Sequence, residues 1–289
     1  YAVYSFMPMV GELVVNQDAR ATKFSHDNEI AKPHYYKVTF DNGITTEMAP
    51  TTRGVHLRFS YPTTGDAYLV LDGYTDMSEI KIDPAKRQIS GWVNNQRFVN
   101  DSKSFRNYFV VQFDKPMDAL NGWVGDRKET DINSLIGSPE LITVPKSSFK
   151  QSPSSGVEAC FGSFKAGDEL LLKTAISYVS EENARENIER ECQHWDFDQV
   201  KSASERIWNE WLGKIDVQGG SFQQKTKFYT DLWHVLLGRH KIDDSNGEYP
   251  DYLSGGERIG KQTRIHTIAP KFQVRTLPKD KTGKSRFHM

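Results

Sequence analysis

Residues 35–61, YYKVTFDNGITTEMAPTTRGVHLRFSY, decide the fold. Residues 35–40 are β-prone and are closed by Asp41-Asn42-Gly43. An Asn-Gly pair tolerates the positive φ angles of a tight hairpin turn, which makes 44–48 the return strand. In residues 55–61, Val55, Leu57, Phe59 and Tyr61 fall on one face, and His56, Arg58 and Ser60 on the other. That period of two is the signature of a strand with one buried face. Working outward, residues 67–71 form an apolar run followed by Asp72-Gly73, read as another turn, and 108–113 and 169–178 are further strands. Residues 146–156, KSSFKQSPSSG, read as a polar loop. Many short strands separated by turns predict an antiparallel β-sandwich over residues 1–178.

The period changes at Ser180. Ser180 is placed as a helix N-cap, with Glu181 and Glu182 in the first turn, where carboxylates complement the helix dipole. Phe197, Val200, Ala203 and Ile207 continue a helical stripe through Trp208 and Trp211. Gly219-Gly220 ends this helical linker, residues 179–220. Phe228, Leu232, Val235 and Leu236 follow helical spacing, with Gly238 at the expected C-cap. A helix this apolar needs a partner surface. Residues 221–289 therefore read as the start of a truncated helical domain, and the fold class is mainly β with α. After Tyr249 the chain is rich in Gly, Lys, Thr and Pro and reads as a frayed or truncated end.

The 37 basic and 38 acidic residues nearly cancel, which argues against a dedicated nucleic-acid or membrane-surface protein. No apolar segment is long enough to span a bilayer. Cys160 and Cys192 fit neither a zinc pattern nor a disulfide framework and read as free or buried thiols. The first residue is Tyr1, so the sequence is expected to begin inside a longer or processed product.

Two segments carry candidate chemistry. Residues 24–29, FSHDNE, bring His26 near Asp27 and Glu29, a set suited to proton transfer or polar ligands, or else a polar turn before a strand. Residues 243–248, DDSNGE, resemble a calcium loop but lack the spacing to a terminal bidentate Glu. Those carboxylates are alternatively sugar-hydroxyl ligands, or part of a turn around Asn246-Gly247. Trp92 and Trp123 are either sugar-stacking platforms or core residues, core being the plainer reading. No GxSxG elbow, P-loop, dinucleotide fingerprint or HExxH motif occurs.

Met7-Pro8, the stretch FSHDNEIAKPHYYKV (24–38), Thr51-Thr52-Arg53-Gly54, AISYVSEENARENIERE (175–191), WDFDQV, WNEWLGKIDV, FYTDLWHVLL and DDSNGEYPDY occur in this order. Together they resemble glycoside hydrolase family 92, calcium-dependent exo-acting α-mannosidases. The resemblance implies a supersandwich-like β-domain packed against an (α/α)6 barrel, whose first helix starts here. It implies an inverting mechanism on mannose-containing glycans, and this chain itself is expected to be inactive, because the family's acid, base and calcium ligands lie beyond Met289. No catalytic or metal residue carries over, and no calcium is expected on this chain. The residues it places nearest the sugar are His26 and Glu29 in the sandwich, and Asp244, Asn246, Glu248 and Tyr249 in the first barrel loop. An α-1,2 linkage, N-glycan degradation and a periplasmic or extracellular location are further expectations, as is a homo-oligomer through the exposed helical segment. The competing class is a non-catalytic carbohydrate-binding or interaction sandwich. Where the family has Pro-Gly before the paired tyrosines, this chain has Pro33-His34.

Overall fold

A computed structural model describes residues 4–74, 77–94, 106–124, 127–130, 132–137, 153–237, 241–251 and 259–261. The first strands are β1 Tyr4–Val10, β2 Phe24–Lys32, β3 Tyr35–Phe40, β4 Thr45–Pro50, β5 Gly54–Ser60, β6 Gly65–Tyr74, β7 Ser78–Asp83 and β8 Gln88–Asn94. They are followed by β9 Arg106–Phe113, β10 Asp118–Val124, β11 Arg127–Glu129, β12 Ser134–Gly137, β13 Pro153–Phe164 and β14 Glu169–Ser177. Helices α1 Glu181–Glu191, α2 Phe197–Leu212 and α3 Phe222–Leu237 come next, then β15 Glu248–Pro250 and β16 Ile259–Lys261.

The first fourteen strands form two antiparallel sheets. One has the order β1-β6-β13-β10-β11, the other β12-β7-β8-β9-β14-β5-β4-β3-β2. The core lies between them, built from inward residues such as Leu57, Phe59, Leu71, Ile80, Phe109, Val157 and Leu172. The expected hairpin is present: Gly43 adopts φ +84° and donates its N–H to Phe40 O at 2.8 Å. Pro33-His34 makes the β2–β3 turn without a positive φ at His34, so no glycine geometry is needed there.

Several local expectations change. Asp72-Gly73 is not a turn: both residues lie inside β6, which pairs with β1 and β13. The Asp72 carboxylate tolerates this burial because the Arg20 guanidinium pairs with it. Residues 24–29 are not a turn before a strand but the start of β2, with a register shift between Phe24 and Glu29. Of the expected loop at 146–156, residues 153–156 open β13, and the rest lies outside the described residues, as does Gly238. Trp92 and Trp123 are buried: Trp92 lies under the Arg106 guanidinium, and Trp123 packs with Met9 and Val70. β15 and β16 pair as a small hairpin, so part of the chain after Tyr249 is ordered by backbone pairing. Cys160 and Cys192 are both free thiols.

The helices begin where side chains satisfy the first free N–H groups. Ser180 Oγ accepts from Asn183 N at 3.1 Å, and Asp196 Oδ1 accepts from Gln199 N at 3.0 Å. Helix α3 starts six residues before Phe228, because Ser221 and Gln224 form a reciprocal capping box, Gln224 N to Ser221 Oγ at 3.2 Å and Ser221 N to Gln224 Oε1 at 2.8 Å. α1 packs on β14, β9 and β8, and α2 packs on β3, β4 and β5. α3 has no buried residue. Its Phe228, Val235 and Leu237 are exposed, and it is tied back by Tyr229 Oη donating to Ile215 O at 2.9 Å.

Phe109 is fully buried and stacks on Tyr4 at 4.7 Å, whereas Phe222 is 86% exposed. Phe109→Ala is expected to cost about 3–5 kcal/mol in urea unfolding. Phe222→Ala should stay within about 0.5 kcal/mol of the parent chain.

Candidate functional site

The acidic loop 243–248 is built onto α1 and the sheet. Asn183 and Asn187 lie one helical turn apart on α1, so both amides face the loop. Asp244 is 2% exposed. Its Oδ2 accepts from Ser177 Oγ at 2.6 Å and Asn183 Nδ2 at 2.9 Å, and its Oδ1 accepts from Asn187 Nδ2 at 2.8 Å. Burial pushes the Asp244 carboxyl up, and these three donors oppose that shift. Ser245 N donates to Asn187 Oδ1 at 2.8 Å, and Arg190 donates to Ser245 O at 2.8 Å. Gly247, at φ +86°, closes the turn by donating to Asp244 O at 2.9 Å. The turn expected around Asn246-Gly247 is therefore present.

Arg53 joins this loop to the sandwich. Its side chain bonds Glu191 Oε1 at 2.6 Å, Asp243 O at 2.6 Å and Asp243 Oδ2 at 3.3 Å. Glu191 Oε2 accepts from Thr51 Oγ1 and from Arg53 N, each at 2.8 Å. The Thr51-Thr52-Arg53-Gly54 step thus clamps the end of α1 and the acidic loop together.

This arrangement leaves the loop carboxylates unequal. Asp243 and Asp244 accept from neighbouring donors, so their oxygens are turned into the protein. Glu248 is more accessible: Oε2 accepts from Asn183 Nδ2 at 3.0 Å, and Oε1 lies 3.5 Å from Lys261 Nζ. The Asn183 amide is the leading cause that holds Glu248 below the ordinary carboxylate range. Asn246 Nδ2 donates to Glu186 at 3.0 Å. Tyr249 pairs with Gly260 across the β15–β16 hairpin, where its ring covers the glycine and excludes a Cβ.

His26 and Glu29 form a second, separate group on β2. His26 Nδ1 lies 2.5 Å from Glu29 Oε2, and Glu29 Oε1 accepts from Tyr36 Oη at 2.6 Å. The Tyr36 hydroxyl, and then His26, hold Glu29 below the usual carboxylate range. The His26 side chain is 89% exposed. β2 is the edge of its sheet, four strand spacings from β14. At about 4.8 Å per spacing, that places it roughly 19 Å from the strand that carries Ser177. The six sugar-facing candidates therefore form two groups rather than one cluster.

A cavity of about 860 Å³ lies between the sandwich, α2, the end of α3 and residues 241–244. Arg53, Asp243 and His194 supply polar wall, and Trp208, Trp211 and Leu236 apolar wall. Among the described residues no group of three or more His, Cys, Asp or Glu side chains is arranged to hold a metal ion. The acidic loop does not fit calcium, since both Asp244 oxygens are taken by N–H and O–H donors and Asp243 Oδ2 is engaged by the Arg53 guanidinium. Arg53 belongs to a motif that the sequence marks, but its hold on the acidic loop, like the roles of Asn183 and Asn187, is not among the sequence expectations. The signal for Asn183 and Asn187 is an amide pair at i, i+4 in an otherwise charged helix, which by itself reads as solvated surface.

Comparison with known proteins follows the same division of the chain. The model described as "Glycosyl hydrolase family 92 N-terminal domain" matches residues 1–177, and that described as "Glycosyl hydrolase family 92 catalytic domain" matches residues 183–268. An uncharacterized secreted glycosidase of Arthroderma benhamiae is 24% identical over 270 residues, covering 86% of this chain and 34% of that protein. A family GH92 inverting mannosidase from Bacteroides thetaiotaomicron is 29% identical with TM-score 0.76, covering 89% of this chain and 33% of that one. A family GH92 alpha-mannosidase of the same organism shares the fold, with TM-score 0.71 at 24% identity over 91% of this chain and 35% of that one. The chain spans about a third of the length of these relatives.

Asn187 satisfies Asp244, Ser245 and Ile176 O at once. Asn187→Ala is expected to destabilise the chain by about 2–4 kcal/mol in urea unfolding, because it strands a buried carboxylate oxygen and a buried N–H.

Proposed function

This chain belongs to glycosyl hydrolase family 92, and we propose that it forms the sandwich and opening helices of an exported α-mannosidase. The observation that carries this is the ordered match of both family domains, one up to residue 177 and the other from residue 183. The relative at 29% identity is an inverting mannosidase, and the curated relative is a secreted glycosidase; these support inversion and export for the whole protein. We extend the reading to α-1,2-linked mannose in N-glycans.

In inverting hydrolysis one carboxylic acid protonates the leaving oxygen while a second carboxylate activates water across the ring. The transition state is flattened and oxocarbenium-like, so groups that grip the sugar hydroxyls in that shape lower the barrier. In this proposal the acid and base come from the longer protein's helical barrel, and this chain supplies contacts to the glycan. His26 and Glu29 offer an exposed imidazole and an ionised acceptor, and Glu248 and Tyr249 line the loop beside Asp244 and Asn246. Calcium belongs to this reading only through the family, and the acidic loop, with both Asp244 oxygens held by donors, does not fit that ion.

Incubated with an α-mannobiose and calcium, this 289-residue chain is expected to release no mannose, whereas the longer protein should release it with inverted anomeric configuration. Turnover by the chain alone would overturn the division of labour. Alanine at His26, Glu29, Asp244, Asn246, Glu248 and Tyr249, placed one at a time in the longer protein, should lower kcat/KM; six unchanged values would remove these residues from the glycan site. The apolar side of α3 makes a second copy the proposed partner of the isolated chain. Sedimentation should then show a dimer or larger species, and Val235→Asp with Leu237→Asp should return it to monomer.

A further inference from the structure

His56 sits on β5 and is fully buried, although its position alternates with the sandwich-facing residues. It points away from the core between the sheets, toward the α1–α2 connection. Its ring centroid is 5.9 Å from Trp195 and 5.7 Å from Phe197. Neither ring nitrogen has a hydrogen-bond partner among the described residues. Directly across the β5–β14 ladder is Lys173, itself buried, with Nζ 4.2 Å from the centre of the Trp195 ring.

The surrounding charges are known on every side. On β14 there is Lys173; on β5, Arg58, whose guanidinium lies 4.5 Å from the Phe197 ring. On β4, Ala49 is opposite His56, and Glu47 is engaged by Arg58 at 2.7 Å. The α1–α2 connection carries Cys192, His194 and Asp196, and α1 ends in Glu191. Burial pushes the Cys192 thiol up to about 11, so it stays neutral. Glu191 is engaged by Arg53 and Thr51, Asp196 caps α2, and Asp198 on α2 is engaged by Arg58 at 3.0 Å. A proton on His56 would therefore join Lys173 and Arg58 in a dry site, with the nearby carboxylates already bound elsewhere.

We propose that His56 and Lys173 form an acid-sensitive latch, in which protonation of His56 releases the Trp195–Phe197 stretch from the sheet and loosens the α1–α2 connection from the sandwich. The latch does not depend on what the protein acts on. Burial first, then Lys173, His194 and Arg58, bring the imidazole from its ordinary 6.5 down to about 4 in the closed form. The released form binds more protons between those values, so closure is at full strength above pH 6.5 and is lost as pH falls toward 4. Burial lowers the Lys173 ammonium too, which disfavours the closed form's protonation in the same sense.

The test is hydrogen exchange on the 289-residue chain, corrected for intrinsic rates. Protection of residues 192–200 relative to β9 should fall about twentyfold between pH 7 and pH 5, the factor given by a shift from 6.5 to about 4. His56→Phe keeps an apolar ring and removes the titration, so its ratio should stay within about twofold. An equal fall in His56→Phe, a fall spread evenly over the sandwich, or no fall in the parent chain would each overturn the latch. If His56→Phe does not fold, an NMR titration of the parent decides: a folded-state His56 ring that titrates at or above pH 6 overturns it, and one that titrates only near the opening transition supports it.

Discussion

Packing of α1 and α2 on the outer face of β5 and β14 removes both faces of these central strands from water. Leu57, Phe59, Leu170 and Leu172 face the interior between the two sheets. On the other side, Ala175 packs with Ala184, Ile188 and Cys192, while Tyr35 and Ala49 pack with Phe197 and Val200. Burial of this second apolar layer is what fixes the helices to the sandwich, since the helices alone are too short to persist in water. Polar groups caught in the layer, His56 and Lys173 among them, must then be neutral, ring-stacked or hydrogen-bonded.

The same joint organises the acidic loop. Once α1 is laid on β14, Asn183 and Asn187 meet the Asp244 backbone turn, and Ser177 closes the carboxylate from the sheet. Arg53 ties the β4–β5 turn to both Glu191 and Asp243. Fixing a loop to a rigid strand and helix orders its remaining groups before any ligand arrives, which reduces the entropy lost on binding. In a family 92 protein this places a polar loop at the point where the sandwich passes to the helical domain.

Much of the fold was legible from local signals. Asn42-Gly43 specified a hairpin, the alternation in 55–61 specified a strand, and Ser180 specified a helix start, because each depends on backbone geometry within a few residues. Asp72-Gly73 misled because an Asp-Gly pair carries the same turn signal whether or not a distant Arg20 neutralises the aspartate inside a sheet. Residues 24–29 misled similarly, since an exposed edge strand has no apolar alternation to announce it. Of the candidate site, the acidic residues were visible as a cluster. Which of them are turned inward was not, because Asn183, Asn187 and Arg53 reach them over long separations in sequence.

The sequence by itself determined the sandwich-then-helix order, the hairpin and cap positions, and the family, all of which rest on residue patterns repeated along the chain. Only the tertiary structure decided that His56 and Lys173 are dry, that the Asp244 carboxylate is held by Ser177, Asn183 and Asn187, and that His26 and Glu29 on edge strand β2 stand apart from the acidic loop 243–248. The reason is physical: a strand pattern specifies which side chains share a face, but the desolvation of that face depends on what later folds over it.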